Sequence, residues 1–263
     1  MTSLRNNSMD RGITVLEVLA AGGGMSLAQL HKETGIPKTP LRRLLNTMVD
    51  RRFVRRSVAD GRYRANILIP RWHNPDFLPH LSDLSDLIMP SALALTEKIE
   101  WPTDIHMMGY GCMTMVDSTR KLSPFQLYVG NINIPINIFG SASGIACLSQ
   151  LSREAVEDVM DLRANDALYG LGRFGLSRTE YFAILDRARE AGYGSRLPNY
   201  IGEAGSDDGL AGMAVPFRKQ NRVIGAAVVM YLKKHKKPED FARDNLQALS
   251  ETAQRITEAL DRA

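Results

Sequence analysis

At 263 residues, with 44% hydrophobic and 24% charged side chains, the chain is too apolar to be disordered and long enough to bury a core. Its 33 basic and 29 acidic residues leave a formal net charge of +4, and two cysteines, Cys112 and Cys147, exclude a disulfide scaffold and point to a reducing compartment. No run of about 18 apolar residues exists to span a bilayer, and the first residues, MTSLRNNSMDRG, lack the apolar segment of a secretory leader, so a cytoplasmic protein of about two domains is predicted.

The charge is unevenly placed. Up to Pro70 there are twelve basic and five acidic side chains, an excess of +7, whereas the remainder carries −3. A basic end joined to a slightly acidic body points to nucleic acid. Asp10 to Ala21 places Ile13, Leu16, Val18 and Leu19 mainly on one side of a helix that Gly22-Gly23-Gly24 stops. Ser26 is a good N-cap for LAQLHKETG, with Leu27, Ala28 and Leu30 facing inward and Gly35 ending the helix where a left-handed residue is needed. Ile36 plugs the corner, and Lys38-Thr39-Pro40 opens a third helix whose Leu41, Leu44, Leu45 and Met48 form an apolar stripe.

The stripe leaves Lys38, Thr39, Arg42, Arg43 and Asn46 on the other sides, a set suited to base edges and phosphates in a major groove. Arg42, Arg43 and Thr39 are the best candidates for base or adjacent phosphate contact. Two short runs follow, containing Arg55, Arg56, Arg62 and Arg64 and separated by Ala59-Asp60-Gly61; they predict a basic hairpin, or wing, that holds the DNA backbone.

Prolines 70, 75, 79 and 90 break any continuous helix after the wing and mark a linker, giving a DNA-binding domain over 1–68, a linker over 69–90 and a second domain over 91–263. Helical segments carrying Leu81, Leu84, Leu87 and Ile88, then Leu93, Leu95 and Ile99, lead into a hairpin, TDIHMMGY and MTMVDST. An extended IPINIF, a small-residue corner at Ser141-Ala142-Ser143-Gly144, two amphipathic helices, two apolar strands and a long C-terminal helix complete an α+β domain with a central antiparallel sheet flanked by helices. The corner suits an anion, because small residues let backbone N–H groups approach a carboxylate, although the same residues also serve tight packing. Ser143→Glu is expected to weaken the response to an acidic ligand without preventing folding.

Signals of catalysis do not converge. Gly170-Leu171-Gly172-Arg173-Phe174-Gly175 matches a dinucleotide pattern but lacks the preceding strand and the helix that should begin within it. The corner has Ala142 where a nucleophile elbow needs serine, the histidines have no metal spacing, and the cysteines form no CxxC. No catalytic set, metal or cofactor is predicted. Met107, Met108, Met113 and Met115 could supply adaptable apolar walls but read as core, and His106 could donate to a ligand oxygen but reads as a hydrogen-bonded structural residue.

DRGITVLEVLA, LAQLHKETGIPKTPLRRLLNTM and VRRSVADGRYRAN resemble the IclR family of bacterial transcriptional regulators, and SASGIACLSQL, EAGYGSR and LAGMAVPFRKQNRVIGAAVVMYL extend the likeness over nearly the whole chain. With WPTD at 101–104, these segments are most similar to the MhpR-like branch, which activates hydroxyphenylpropionate catabolism. The resemblance implies a winged helix-turn-helix, a linker helix and a GAF-like effector-binding domain. It further implies a homodimer or homotetramer on palindromic, double-stranded operator DNA and an aromatic carboxylate as effector. Ser141, Ala142, Ser143 and Gly144 then match the family's effector corner, and Gly212, Val229 and Tyr231 match its polar positions on the paired strands. Losing polar groups there favours a larger, ring-bearing ligand. The alternative is a metabolic enzyme acting on an aromatic acid, with the basic N-terminus serving for assembly.

Overall fold

The computed structural model describes residues 6–22, 24–66, 81–109, 111–125, 127, 135–203 and 207–263. The chain divides into two compact units, Met1–Arg71 and Trp72–Ala263.

In the first unit three helices, α1 (Asn7–Gly22), α2 (Leu27–Thr34) and α3 (Lys38–Asp50), precede a two-stranded hairpin of β1 (Val54–Arg56) and β2 (Tyr63–Ala65). Ser26 caps α2 in a full capping box with Gln29, and Gly35 closes it in the left-handed conformation at φ 68°. The core gathers Val15, Leu19, Leu30, Ile36, Leu41, Leu45, Met48, Val54 and Tyr63. The inward face of α1 runs through Gly12, Val15 and Leu19, so Ile13 is exposed, contrary to the expected stripe; Ala28 of α2 is exposed as well. Gly12 is the reason for the rotation, since a Cβ there would stand 3.3 Å from the Met48 methyl. The hairpin pairs Val54 with Ala65 and Arg56 with Tyr63, and paired bonds between Met25 and Tyr63 tie it to the segment before α2.

In the second unit a six-stranded antiparallel sheet has the order β5-β4-β3-β8-β7-β6. Its strands are β3 (Thr103–Met108), β4 (Met113–Ser118), β5 (Pro135–Ile136), β6 (Gly194–Ser195), β7 (Leu210–Lys219) and β8 (Arg222–Leu232). β7 and β8 are joined through Gln220 and Asn221 at φ 49° and 62°, the two left-handed residues a tight hairpin requires. One face packs on α5 (Ala142–Leu148), α6 (Arg153–Leu162) and α7 (Arg178–Ala191), around Phe139, Tyr181, Leu185, Ala214 and Val228. The opposite face packs on α4 (Leu81–Ile99) and α8 (Pro238–Arg262), around Ile88, Leu95, Val229, Tyr231, Leu249 and Ile256. The α+β architecture is the one expected.

α4 runs through Pro90, so the break expected there does not occur, and the linker limit at 90 falls inside a helix. Pro90 lies on the exposed side, where the carbonyl it deprives of a helical donor meets solvent. The other linker prolines lie outside the described residues.

Candidate DNA-binding surface and effector cavity

The amphipathic pattern of α3 sets its orientation. Leu41, Leu45 and Met48 are buried, Leu44 is half-buried, and Lys38, Thr39, Arg42, Arg43 and Asn46 are all exposed. Among the described residues the Arg42 and Arg43 side chains make no hydrogen bond or ion pair, so their donors are available to an external partner.

The wing arginines are engaged within the unit. Arg55 donates to the Asn66 Oδ1 at 2.9 Å, Arg56 to the Gly61 carbonyl at 3.1 Å, and Arg62 to the Gly24 carbonyl at 3.4 Å. Arg64 donates both terminal nitrogens to Asp60, at 3.0 and 2.6 Å. Those donations, followed by the Arg62 backbone N–H, hold the Asp60 carboxyl far below the usual carboxylate range. Arg64 therefore carries its own counterion, and its cationic field is weaker than the sequence implies.

In the second unit a cavity of about 300 Å³ opens between β8, the N-terminal end of α5 and residues 196, 200–203, 208 and 210. Met115, Ile136, Ala142, Leu210, Val228 and Met230 supply its apolar wall, and His106, Arg120, Ser141, Ser143, Arg196 and Tyr200 its polar one. Of the corner residues, Ser141, Ala142 and Ser143 line this space, whereas Gly144 does not. The Gly144 N–H donates to the Ser141 Oγ at 3.1 Å, and a Cβ there would stand 1.8 Å from the Ile138 carbonyl oxygen. Gly144 is a packing residue, because the helix start presses directly on the preceding turn.

Strand parity corrects two further assignments. Val228 and Met230 face the cavity, so Val229 and Tyr231 face the α4–α8 layer. Tyr231 stacks on Phe241 with ring centroids 3.7 Å apart and meets Trp101 edge-on, and Val229 is fully buried in the same cluster. Gly212 is on the cavity side of β7, where a Cβ would meet Met230 Sδ at 3.1 Å and Ala142 Cβ at 3.5 Å, but it does not line the open space.

The cavity also brings together residues that the sequence did not single out as a site. Asp104 is fully buried and accepts from Arg120 Nε at 3.0 Å, from Arg120 Nη2 at 2.5 Å and from Ser118 Oγ at 2.6 Å. Arg196 pairs with Asp208 at 2.8 Å, and Glu203 accepts from Arg173 at 3.1 Å and from the Tyr200 hydroxyl at 2.7 Å. Each of these cations is thus matched by a carboxylate. Met115 belongs to the cavity wall, not only to the core. Ser143 is fully buried and sits 2.8 Å from His106 Nδ1, so Ser143→Glu would overfill the site and unsettle the fold instead of simply repelling an acid.

Burial pushes the His106 imidazole down to about 4; Asp104 opposes the shift and Arg120 and Arg196 add to it. The ring is neutral in the folded protein at pH 7, while an unfolded histidine takes up a proton near 6.5. The contribution of His106 to stability is therefore complete above that value and is lost as pH falls toward 4, by up to about 3 kcal/mol. Urea unfolding between pH 7 and 4.5 should show this increment in the wild type and not in His106→Gln.

The 170–175 glycine pattern forms a 3-10 turn, Leu171–Phe174, that ends at Gly175, and α7 begins only after its own Ser177–Glu180 capping box. A Cβ on Gly170 would clash with the Asp166 and Arg163 carbonyls, which explains that glycine without a nucleotide.

Residues 8–57 match the IclR helix-turn-helix domain. The whole chain is similar in structure to an IclR family transcriptional regulator from Brucella abortus, with a TM-score of 0.58, 18% identity and coverage of 98% of this chain and 94% of that one. An IclR homolog from Microbacterium hydrocarbonoxydans, solved in complex with 4-hydroxybenzoate, matches with a TM-score of 0.57 and 18% identity over 98% and 100% of the two chains. The IclR of Thermotoga maritima matches with a TM-score of 0.57 and 12% identity over 97% and 99%. The first unit therefore holds an IclR helix-turn-helix domain, and the chain as a whole has the fold of the IclR-family transcriptional regulators.

Proposed function

We propose that the protein is a ligand-responsive transcriptional regulator that binds double-stranded operator DNA as a homodimer or homotetramer and controls genes for catabolism of an aromatic carboxylic acid. The observation that carries the DNA-binding reading is the division of α3, with leucines buried on one side and Arg42 and Arg43 exposed and unpaired among the described residues on the other. The match of residues 8–57 to a DNA-binding domain speaks against the metabolic-enzyme alternative.

For the effector, the support is a cavity of about 300 Å³, large enough to hold a one-ring acid, with an apolar wall of Met115, Val228 and Met230 and a polar wall of Ser141, Ser143 and His106. The structural relative solved with 4-hydroxybenzoate makes that acid the natural first probe. The aromatic-acid assignment agrees with the MhpR-like likeness of the sequence.

A gel shift of the full chain on its own upstream DNA tests the first part, and binding that survives removal of residues 1–65 would defeat it. Within that assay Arg42→Ala is expected to weaken operator binding by about 1–3 kcal/mol while leaving random DNA less affected. Arg62→Ala is expected mainly to lower the salt dependence, by roughly one unit of slope. An equal loss on both DNAs would remove Arg42 from base readout.

A further inference from the structure

His106 is 6% exposed and lines the cavity, yet its Nε2 is the one buried side-chain nitrogen or oxygen among the described residues without a hydrogen-bond partner. A buried donor left unmet costs on the order of 1–3 kcal/mol, so a site that keeps one needs a use for it. The other end of the ring is tightly held. Nδ1 is 2.8 Å from the Ser143 Oγ, which is 3.3 Å from the Ser141 Oγ, which in turn accepts the Gly144 N–H at 3.1 Å.

This chain of contacts can run in two directions, and the neighbouring carboxylate favours one of them. The Ser141 oxygen accepts the Gly144 N–H and shares one hydrogen with Ser143, a contact in which either hydroxyl can donate. In the order in which Ser141 donates to Ser143 and Ser143 to Nδ1, Nδ1 carries the lone pair and the ring proton resides on Nε2. The Asp104 Oδ2, 4.0 Å from Nε2, is too far to accept that proton but favours its presence there over a lone pair; the Arg120 guanidinium on the same carboxylate moderates the effect. The charged groups around the cavity are already matched as ion pairs, which leaves this neutral N–H as the donor with unmet demand.

We propose that His106 is a specificity-determining residue of the effector cavity, whose Nε2–H donates to an oxygen of the bound ligand while the Gly144–Ser141–Ser143 relay fixes its tautomer. The inference rests on the reading of this cavity as the effector site. It commits the cavity to ligands that present an acceptor oxygen, a carboxylate, phenol or carbonyl, and against ligands of the same shape that present a methyl or a second donor. With the imidazole pushed down to about 4, the donor is present in one protonation state throughout the physiological range.

Two measurements on the full chain test it. Long-range proton–nitrogen correlation on histidine-labelled protein at pH 7 is expected to show the Nε2–H tautomer at His106, shifting toward a mixture in Ser143→Ala; an Nδ1–H tautomer or an imidazolium in the wild type overturns the proposal, whatever the ligand. Calorimetric titration with 4-hydroxybenzoate is expected to show His106→Phe binding roughly 10-fold or more weakly than wild type, with His106→Gln, which keeps a donor near Nε2, recovering most of the loss. Equal affinity in His106→Phe also overturns it. If neither 4-hydroxybenzoate nor benzoate binds the wild type, the aromatic-acid reading of the cavity falls, and the tautomer decides the fate of His106 separately.

Discussion

Asp104→Ala is expected to destabilise the second unit by about 3–5 kcal/mol, because it removes the buried carboxylate that pairs with the Arg120 guanidinium. Asp104 has no solvent exposure and takes hydrogen bonds from Arg120 and from Ser118, both reaching it from the strand beside its own or just beyond it. Removing the carboxylate takes from Arg120, a side chain only 8% exposed, the two oxygens to which its Nε and Nη2 donate. The companion experiment separates this cost from the net worth of the pair: Asp104→Leu combined with Arg120→Met should recover most of the stability, since an apolar pair of similar volume has no charge to desolvate. Fluorescence of Trp101, which stacks on Phe125 at 3.9 Å within this unit, reports the transition in a Trp72→Phe background. A loss below about 1 kcal/mol for the single variant would mean that solvent reaches the pair.

Gly144→Ala is expected to cost about 3 kcal/mol or more, the upper range for overpacking, although it adds a single methyl. That methyl would lie 1.8 Å from the Ile138 carbonyl oxygen and 2.5 Å from its carbon, both backbone atoms that cannot swing aside. The start of α5 would have to move, and with it Ser141 and Ser143 on the cavity wall. Thermal melting should fall by several degrees and effector affinity should fall with it. Gly172→Ala, where nothing lies within 4 Å, is the matched control and should be near neutral.

Much of the first unit was legible residue by residue. A capping serine, a left-handed Gly35 and a leucine stripe each act over one or two helical turns, so local rules determine them. Ile13 misled because apolar composition alone cannot rank faces when a glycine, Gly12, is what permits the close approach to Met48.

The second unit was legible as an inventory of elements and less so as a site. Every residue of β8 from Val223 to Tyr231 is buried, because helices cover both faces of the sheet. Such a strand shows no alternation, and without alternation nothing in the sequence tells Val228 and Met230 from Val229 and Tyr231. Ser141 and Ser143 of the polar wall are legible as a corner, but the rest is hidden for a different reason: His106, Arg120 and Arg196 come from three separate segments, and their meeting depends on the order of strands in the sheet. For His106 the sequence leaves two roles open, a bonded structural residue and a donor to a ligand; Nδ1 meets Ser143, and Nε2 has no hydrogen-bond partner.

The two-sided burial of β8 bears on how variants of this protein will behave under genetic selection. Val228 and Met230 border the cavity while their neighbours Val229 and Tyr231 are wedged among Trp101, Phe241 and helices α4 and α8. A substitution on the helical side is expected to tilt the strand that borders the proposed effector cavity, so alleles with an altered response to ligand should turn up at residues that do not line it.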